Sequence, residues 1–155
     1  MLKTAISIVS ALLLSVALAA QTTNPEKIMV GTWKLNVSKS KFNPKPGPTS
    51  VTAIVSEDGS MELKQEMADG KSLDWTMPPS KDGAIVPISG AGDDATYSHK
   101  VIDQWRTEDH WKTAGGATVG KGTLSKDGKT LTYVSVGTTP QGKTVTHDVQ
   151  VFEKQ

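Results

Sequence analysis

The side chains able to do chemistry in this 155-residue chain are few and far apart in sequence. Read as alternating faces, Gln65, His99, Asp109 and His147 fall on sides expected to point inward, beside Trp75, Tyr97, Trp105, Trp111 and Tyr133. His147 alternates with Val145, Val149 and Val151, which puts it on the apolar face of its segment. A buried polar group left unpaired costs about 1–3 kcal/mol, so such residues must find partners. One outcome is a polar floor inside a ligand cavity. Another is a His–carboxylate pair that moves protons. A self-satisfied core network fits the same residues, and a register slip of one would turn the whole set outward. Trp105 and Trp111 share a face about 20 Å apart, given the rise per strand residue. They either line the two ends of a cavity or help fill a solid core.

Other chemistries lack their residues. There is no G-x-S-x-G and no H-E-x-x-H, and no glycine-rich loop follows a strand to open a helix. Three histidines on three segments, without cysteine, give no zinc-type spacing. Asp93-Asp94 after a Gly-Ala-Gly turn lacks the further oxygen ligands of a calcium loop. The expectation is therefore no metal, no cofactor and no catalytic residue, with a small barrel enzyme as the remote alternative. The formal charge is +1, Arg106 is the only arginine, and the lysines are interspersed with carboxylates. Nucleic-acid binding and a polybasic membrane patch both need clustered cations, which are missing.

The elements that must position these residues follow from punctuation and period. Residues 1–19 read as a signal peptide: Lys3, an apolar run from Ala5 to Val16, then Ala17-Leu18-Ala19 as the small-x-small cleavage pattern. That predicts export to a bacterial periplasm or beyond, with no stable membrane insertion after cleavage, and a single domain over 20–155. The absence of cysteine excludes disulfides and a lipid-anchored cysteine. Asn24-Pro25 predicts a short helical turn. Beyond it, turn signals recur every eight to twelve residues, including Asp58-Gly59, Asp69-Gly70, Asp82-Gly83 and Asp127-Gly128. Between them lie nine or ten alternating segments, the clearest being Met61 to Met67 with Glu62, Lys64 and Glu66 on its wet face. Pro44, Pro46 and Pro48 exclude a ladder strand after the first segment, and Pro87 places the fifth at an edge or bulge. The fold expected is all-β: an up-and-down antiparallel barrel of eight to ten strands with a short N-terminal helical turn, closed so that no edge remains.

One resemblance bears on that barrel. GTWKLNVSKSKF with its proline-rich sequel, and SKDGKTLTYVSVGTTPQGKTVTHDVQVFEKQ at the end, resemble small secreted bacterial lipocalin-like (calycin-type) β-barrel proteins of unassigned function. The likeness implies that Gly31 and Trp33 close one barrel end, Gly by letting backbone pass close and Trp by packing across the base. GTWKL and VFEK also look like the opening and last strand of intracellular fatty-acid-binding proteins. Those proteins hold a ligand carboxylate with an Arg-x-Tyr pair, where this chain has Gln150 and Phe152. Two later lipocalin features, a Thr-Asp-Tyr turn and an arginine packing on the first tryptophan, are not evident.

Two functions of different class follow. The first is a binding protein for a small, largely apolar molecule, with Trp75, Tyr97 and Trp105 in the wall and His147 as a polar contact. The second is a protein-interaction or inhibitor module that uses a barrel rim or the segment Phe42 to Pro48, with no internal ligand. A hollow interior favours the first. A filled core with an apolar patch near Phe42 favours the second.

Overall fold

The structure is a computed structural model and describes residues 25–155. The signal-peptide reading and Asn24 lie outside the described residues. Pro25–Met29 forms the short helix α1, and ten strands follow: β1 (Gly31–Leu35), β2 (Ser50–Val55), β3 (Met61–Glu66), β4 (Ser72–Met77), β5 (Val86–Pro87), β6 (Thr96–Asp103), β7 (Arg106–Thr113), β8 (Gly116–Leu124), β9 (Thr130–Thr138) and β10 (Thr144–Lys154). All make one antiparallel sheet in the order β4-β3-β2-β1-β10-β9-β8-β7-β6-β5. Except for β4 and β5, each strand pairs with its chain neighbour, and the first pairs with the last, Trp33 opposite Lys154 and Leu35 opposite Phe152.

The remaining seam, between β4 and β5, is closed by one narrow bridge. Thr76 and Ser89 exchange backbone N–H···O bonds of 3.1 and 2.9 Å. Pro87 has no N–H to extend a ladder there, so β5 stops at two residues. The result is the expected all-β, up-and-down antiparallel barrel, nearly closed. Gly90 lets the loop after β5 pass the seam, since a Cβ there would fall on the Asp74 carbonyl.

Two apolar clusters hold the barrel. Trp33, Val51, Leu124, Leu131 and Phe152 form one, with Ile28, Met29 and Trp105 packed against it. Met77, Ile88, Ala95 and Tyr97 form the other along the seam. Trp33 is buried to 1% exposure and donates its indole N–H to the Met29 carbonyl at 2.8 Å, tying α1 to the barrel end. Lys154 at the end of β10 lies 5.5 Å over the Trp33 ring and donates to the Ile28 carbonyl at 2.6 Å. A cation thus does pack on the first tryptophan, but it is a lysine from the last strand. Gly31, at φ +128°, leaves room for that lysine, because a Cβ would stand 3.0 Å from Lys154 Cε.

The proline-rich segment is tied down at its start. Lys41 pairs with Val149 through bonds of 2.7 and 2.8 Å, and the Asn43 carbonyl accepts from the His147 N–H at 2.9 Å. This stretch extends the place of β1 along the first half of β10. Phe42 is half-buried, folded onto Gly47, where a Cβ would fall on its ring.

Candidate functional site

The barrel is hollow. A cavity of about 380 Å³ runs inside it, at the small end of the roughly 300–1,000 Å³ typical of small-molecule pockets. The exposed residues at its border are Glu26 on α1, Ser56 to Gly59 in the β2–β3 turn, and Lys81, beside the half-buried Ser80. From there it reaches Thr113 and Gly116 at the β7–β8 hairpin.

β8 carries little side-chain bulk on its inner face, which lets side chains of β7 and β9 close over it. Gly116, Thr118, Gly120, Gly122 and Leu124 alternate inward there, and the glycines among them face the bulky residues of β7 and β9. A Cβ on Gly120 would fall on the Tyr133 hydroxyl and ring, and one on Gly122 would fall on the Thr107 hydroxyl. These glycines are there for close approach, which alternate strand glycines signal in a sequence.

Into that space β6, β7 and β9 bring a hydrogen-bonded cluster. The register sets His99 opposite Asp109, Asp109 opposite Gly120, and Gly120 opposite Ser135. Asp109 is 6% exposed. Its Oδ1 accepts from the Tyr97 hydroxyl at 2.8 Å and lies 2.7 Å from His99 Nδ1. Trp111 donates its indole N–H to the Tyr133 hydroxyl at 3.0 Å. Burial drives both tyrosines well above their ordinary pKa, and the Asp109 charge pushes them further, so both stay protonated donors. For His99, burial lowers the pKa, but the hydrogen bond and charge of Asp109, with the charge of Glu26, outweigh it and raise the net value. The His99 backbone N–H is anchored by the Ser80 hydroxyl at 2.9 Å.

Aromatic rings wall the cluster. Trp111 lies 4.4 Å from Tyr97 and 6.2 Å from Trp75, centroid to centroid, both tilted. Tyr97 stacks on His99 at 6.5 Å. Gln65, Trp75, Tyr97, His99, Asp109, Trp111 and Tyr133 all line the cavity.

Trp105 and His147 do not. Trp105 sits in the β6–β7 turn, where its backbone N–H bonds to Asp103 Oδ1 at 2.9 Å, and it packs with the Trp33 cluster beyond the cavity. The two tryptophans therefore do not line opposite ends: Trp111 is wall and Trp105 is plug. His147 is exposed on the outer face, opposite Val136, itself 38% exposed. The cause is the inverted pattern of β10. Its inner face reads Thr146, Asp148, Gln150, Phe152, while the more apolar Val145, His147, Val149, Val151 face looks out. Hydrophobicity alone selects the wrong side.

Pairing brings in residues that alternation left unremarked. Thr107 and Ser135 are the other buried polar side chains, at 4% and 3% exposure, and both line the cavity with Gln150. The signal was present in the inward parity of β7 and in the glycines of β8. Among the described residues no group of three or more His, Cys, Asp or Glu is placed to hold a metal ion. His110 is exposed and bonds to Glu108 at 3.0 Å, on the opposite face of the sheet from Asp109.

No family model matches the chain, and no curated protein is similar to it. Among solved structures it is similar to a Nostoc punctiforme protein of unknown function from the DUF3598 family. The two superpose with a TM-score of 0.57 at 11% identity, over 83% of this chain and 48% of that one. The chain thus spans about half the length of that protein, and at this identity the likeness is one of fold.

Proposed function

We propose that this is a lipocalin-like binding protein that holds a small, largely apolar molecule inside its barrel. The observation that carries the reading is the cavity of about 380 Å³ with aromatic walls and a polar cluster at one side. A few convergent polar groups in an apolar hollow are what orients a bound small molecule. The ligand is not held by an internal carboxylate clamp. The lining contains no arginine, and its one lysine, Lys81, stands at the border beside Glu57 and Asp58.

The reading is of a binder and not of an enzyme, since no nucleophile motif accompanies the cluster. It places the protein outside the cytoplasm of a bacterium, on the strength of Ala17-Leu18-Ala19 and the lack of cysteine. The test is native mass spectrometry of protein purified from its own host. A reproducible small-molecule adduct, lost in Trp111→Ala, is expected. No adduct, together with a silent dye-displacement screen, would sink the reading.

A protein-interaction role has one observation in its favour. Val119, Val134, Val136 and Val145 stand 36–45% exposed on the outer faces of β8, β9 and β10. Phe42, by contrast, is turned onto Gly47 rather than presented.

A further inference from the structure

We propose that the cavity selects an aromatic ligand bearing a phenol-type hydroxyl, which it seats as a hydrogen-bond donor on His99 Nε2. This rests on the binding reading above and names the chemistry that reading leaves open.

Asp109 accepts through Oδ1 from the Tyr97 hydroxyl, and His99 Nδ1 lies 2.7 Å from the same oxygen. A carboxylate only accepts, so Nδ1 must carry a hydrogen. In the neutral ring that leaves the lone pair on Nε2, and Nε2 has no hydrogen-bond partner among the described residues. The Trp111 N–H goes to the Tyr133 oxygen. With His99 neutral, the Nδ1, Tyr97 and Trp111 hydrogens are all engaged within the cluster, and Nε2 offers a ligand an acceptor. The His99 side chain keeps 23% of its surface accessible and borders the cavity. A ligand hydroxyl that donates to Nε2 gives the neutral His99 its second partner.

The body of the ligand follows from the walls. Tyr97 stacks beside His99, and Trp111 and Trp75 continue the aromatic lining. A flat ring whose hydroxyl reaches Nε2 would lie against these faces, where aromatic pairs gain beyond the area they bury. The carboxylates Glu26, Glu57 and Asp58 at the border outnumber Lys81 and disfavour an anionic ligand. A neutral phenol meets all three conditions, and a bicyclic one is small enough for the space.

The experiment uses a matched pair, 2-naphthol and 2-methoxynaphthalene, which share the ring and differ in the donor. Equilibrium dialysis against the whole protein at mildly alkaline pH should show the naphthol binding about tenfold or more tighter, the value of one hydrogen bond. His99→Phe, which keeps a flat ring and removes the acceptor, should bring the two affinities together while the ether still binds. His147→Phe on the outer face should leave both unchanged. Should His99→Phe fail to fold, the imidazole ¹⁵N resonances of the native protein serve instead: Nε2 should move upfield with naphthol and stay in place with the ether. Equal binding of the two compounds would overturn the hydroxyl inference and leave the binding reading standing. Binding of neither would overturn the phenol assignment, and only the further absence of a native adduct would remove the binding reading as well.

Discussion

Gly120→Ala is the sharpest test of how the cavity is built. In β8 this glycine is buried between Asp109 of β7 and Ser135 of β9, and its missing side chain is the space into which Tyr133 leans. A methyl there would fall on the Tyr133 hydroxyl and ring. Tyr133 is held from its far side by the Trp111 indole at 3.0 Å, so it cannot retreat without giving up that bond. Overpacking of this kind costs about 1–3 kcal/mol. Loss of the hydrogen bond adds roughly 1 kcal/mol. Gly120 is not among the positive-φ glycines, so the alanine also gains about 0.4–1 kcal/mol by restricting the unfolded chain. The net expectation is a loss of about 2 kcal/mol, read from urea unfolding followed by tryptophan fluorescence.

Two comparisons make that number specific. Gly115→Ala, also at negative φ but with its nearest contact 3.6 Å away at the Thr113 hydroxyl, should lie within about 0.5 kcal/mol of the parent. Tyr133→Leu removes the obstructing ring. Combined with Gly120→Ala, it should be less damaging than the two single losses added, by about 1–2 kcal/mol. If Gly120→Ala is as stable as the parent, with the same near-ultraviolet dichroism, then Tyr133 does not occupy that space and the account of the cluster fails.

Three further outcomes are expected. His99 has a raised pKa in the folded protein, facing Asp109 on β7, Tyr97 on its own strand, Glu26 on α1 and, across the border, Lys81. The folded state therefore binds that proton more tightly than the unfolded chain. The stability it contributes is complete below the unfolded value of about 6.5 and is lost as pH rises through the folded value. The difference in urea midpoint between the parent and His99→Gln should shrink across that window, and a constant difference would refute the coupling. Lys154→Met removes both the contact over Trp33 and the bond to the Ile28 carbonyl, and should cost about 1–2 kcal/mol. It should also speed amide exchange in the residues of α1, whereas unchanged exchange there would show that the lysine does not hold the helix. His147→Ala, on the outer face, should change stability by less than about 0.5 kcal/mol and leave ligand binding intact. Loss of binding in that variant would mean that the inner face of β10 has been misassigned.

The sequence by itself determined the existence and order of the strands. Turn signals, four of them Asp-Gly pairs, break alternating segments every eight to twelve residues, and breaks this short favour hairpins, so strands adjacent in sequence become adjacent in space. Pro87 limited β5, and the opening Gly-x-Trp located the plugged end. Within the long β6–β7 hairpin, the inward parity of Tyr97, His99, Asp109 and Trp111 was legible because both strands have clearly wet opposite faces, with Lys100, Arg106, Glu108 and Lys112. Trp105 was harder to place, because parity carries no information about where a strand ends and its turn begins.

Which way β10 faces, and which residues meet, came from the closed sheet. A filled barrel would demand an apolar inner face on every strand, and alternation would then reveal it. This barrel is hollow and partly polar within, so Thr146, Asp148 and Gln150 can point inward while Val145, Val149 and Val151 point out. Nothing local to β10 distinguishes these two placements. The choice comes from its pairing with β9 and β1, which sets Phe152 against Leu131 and Leu35 in the plug and fixes every other residue by parity. The same pairing carries Tyr133, on β9, across Gly120 to Trp111 and Asp109, from a strand more than twenty residues away. Spacing along the chain specifies partners within a hairpin. Convergence at the centre of a barrel depends on closure, which is a property of the whole sheet.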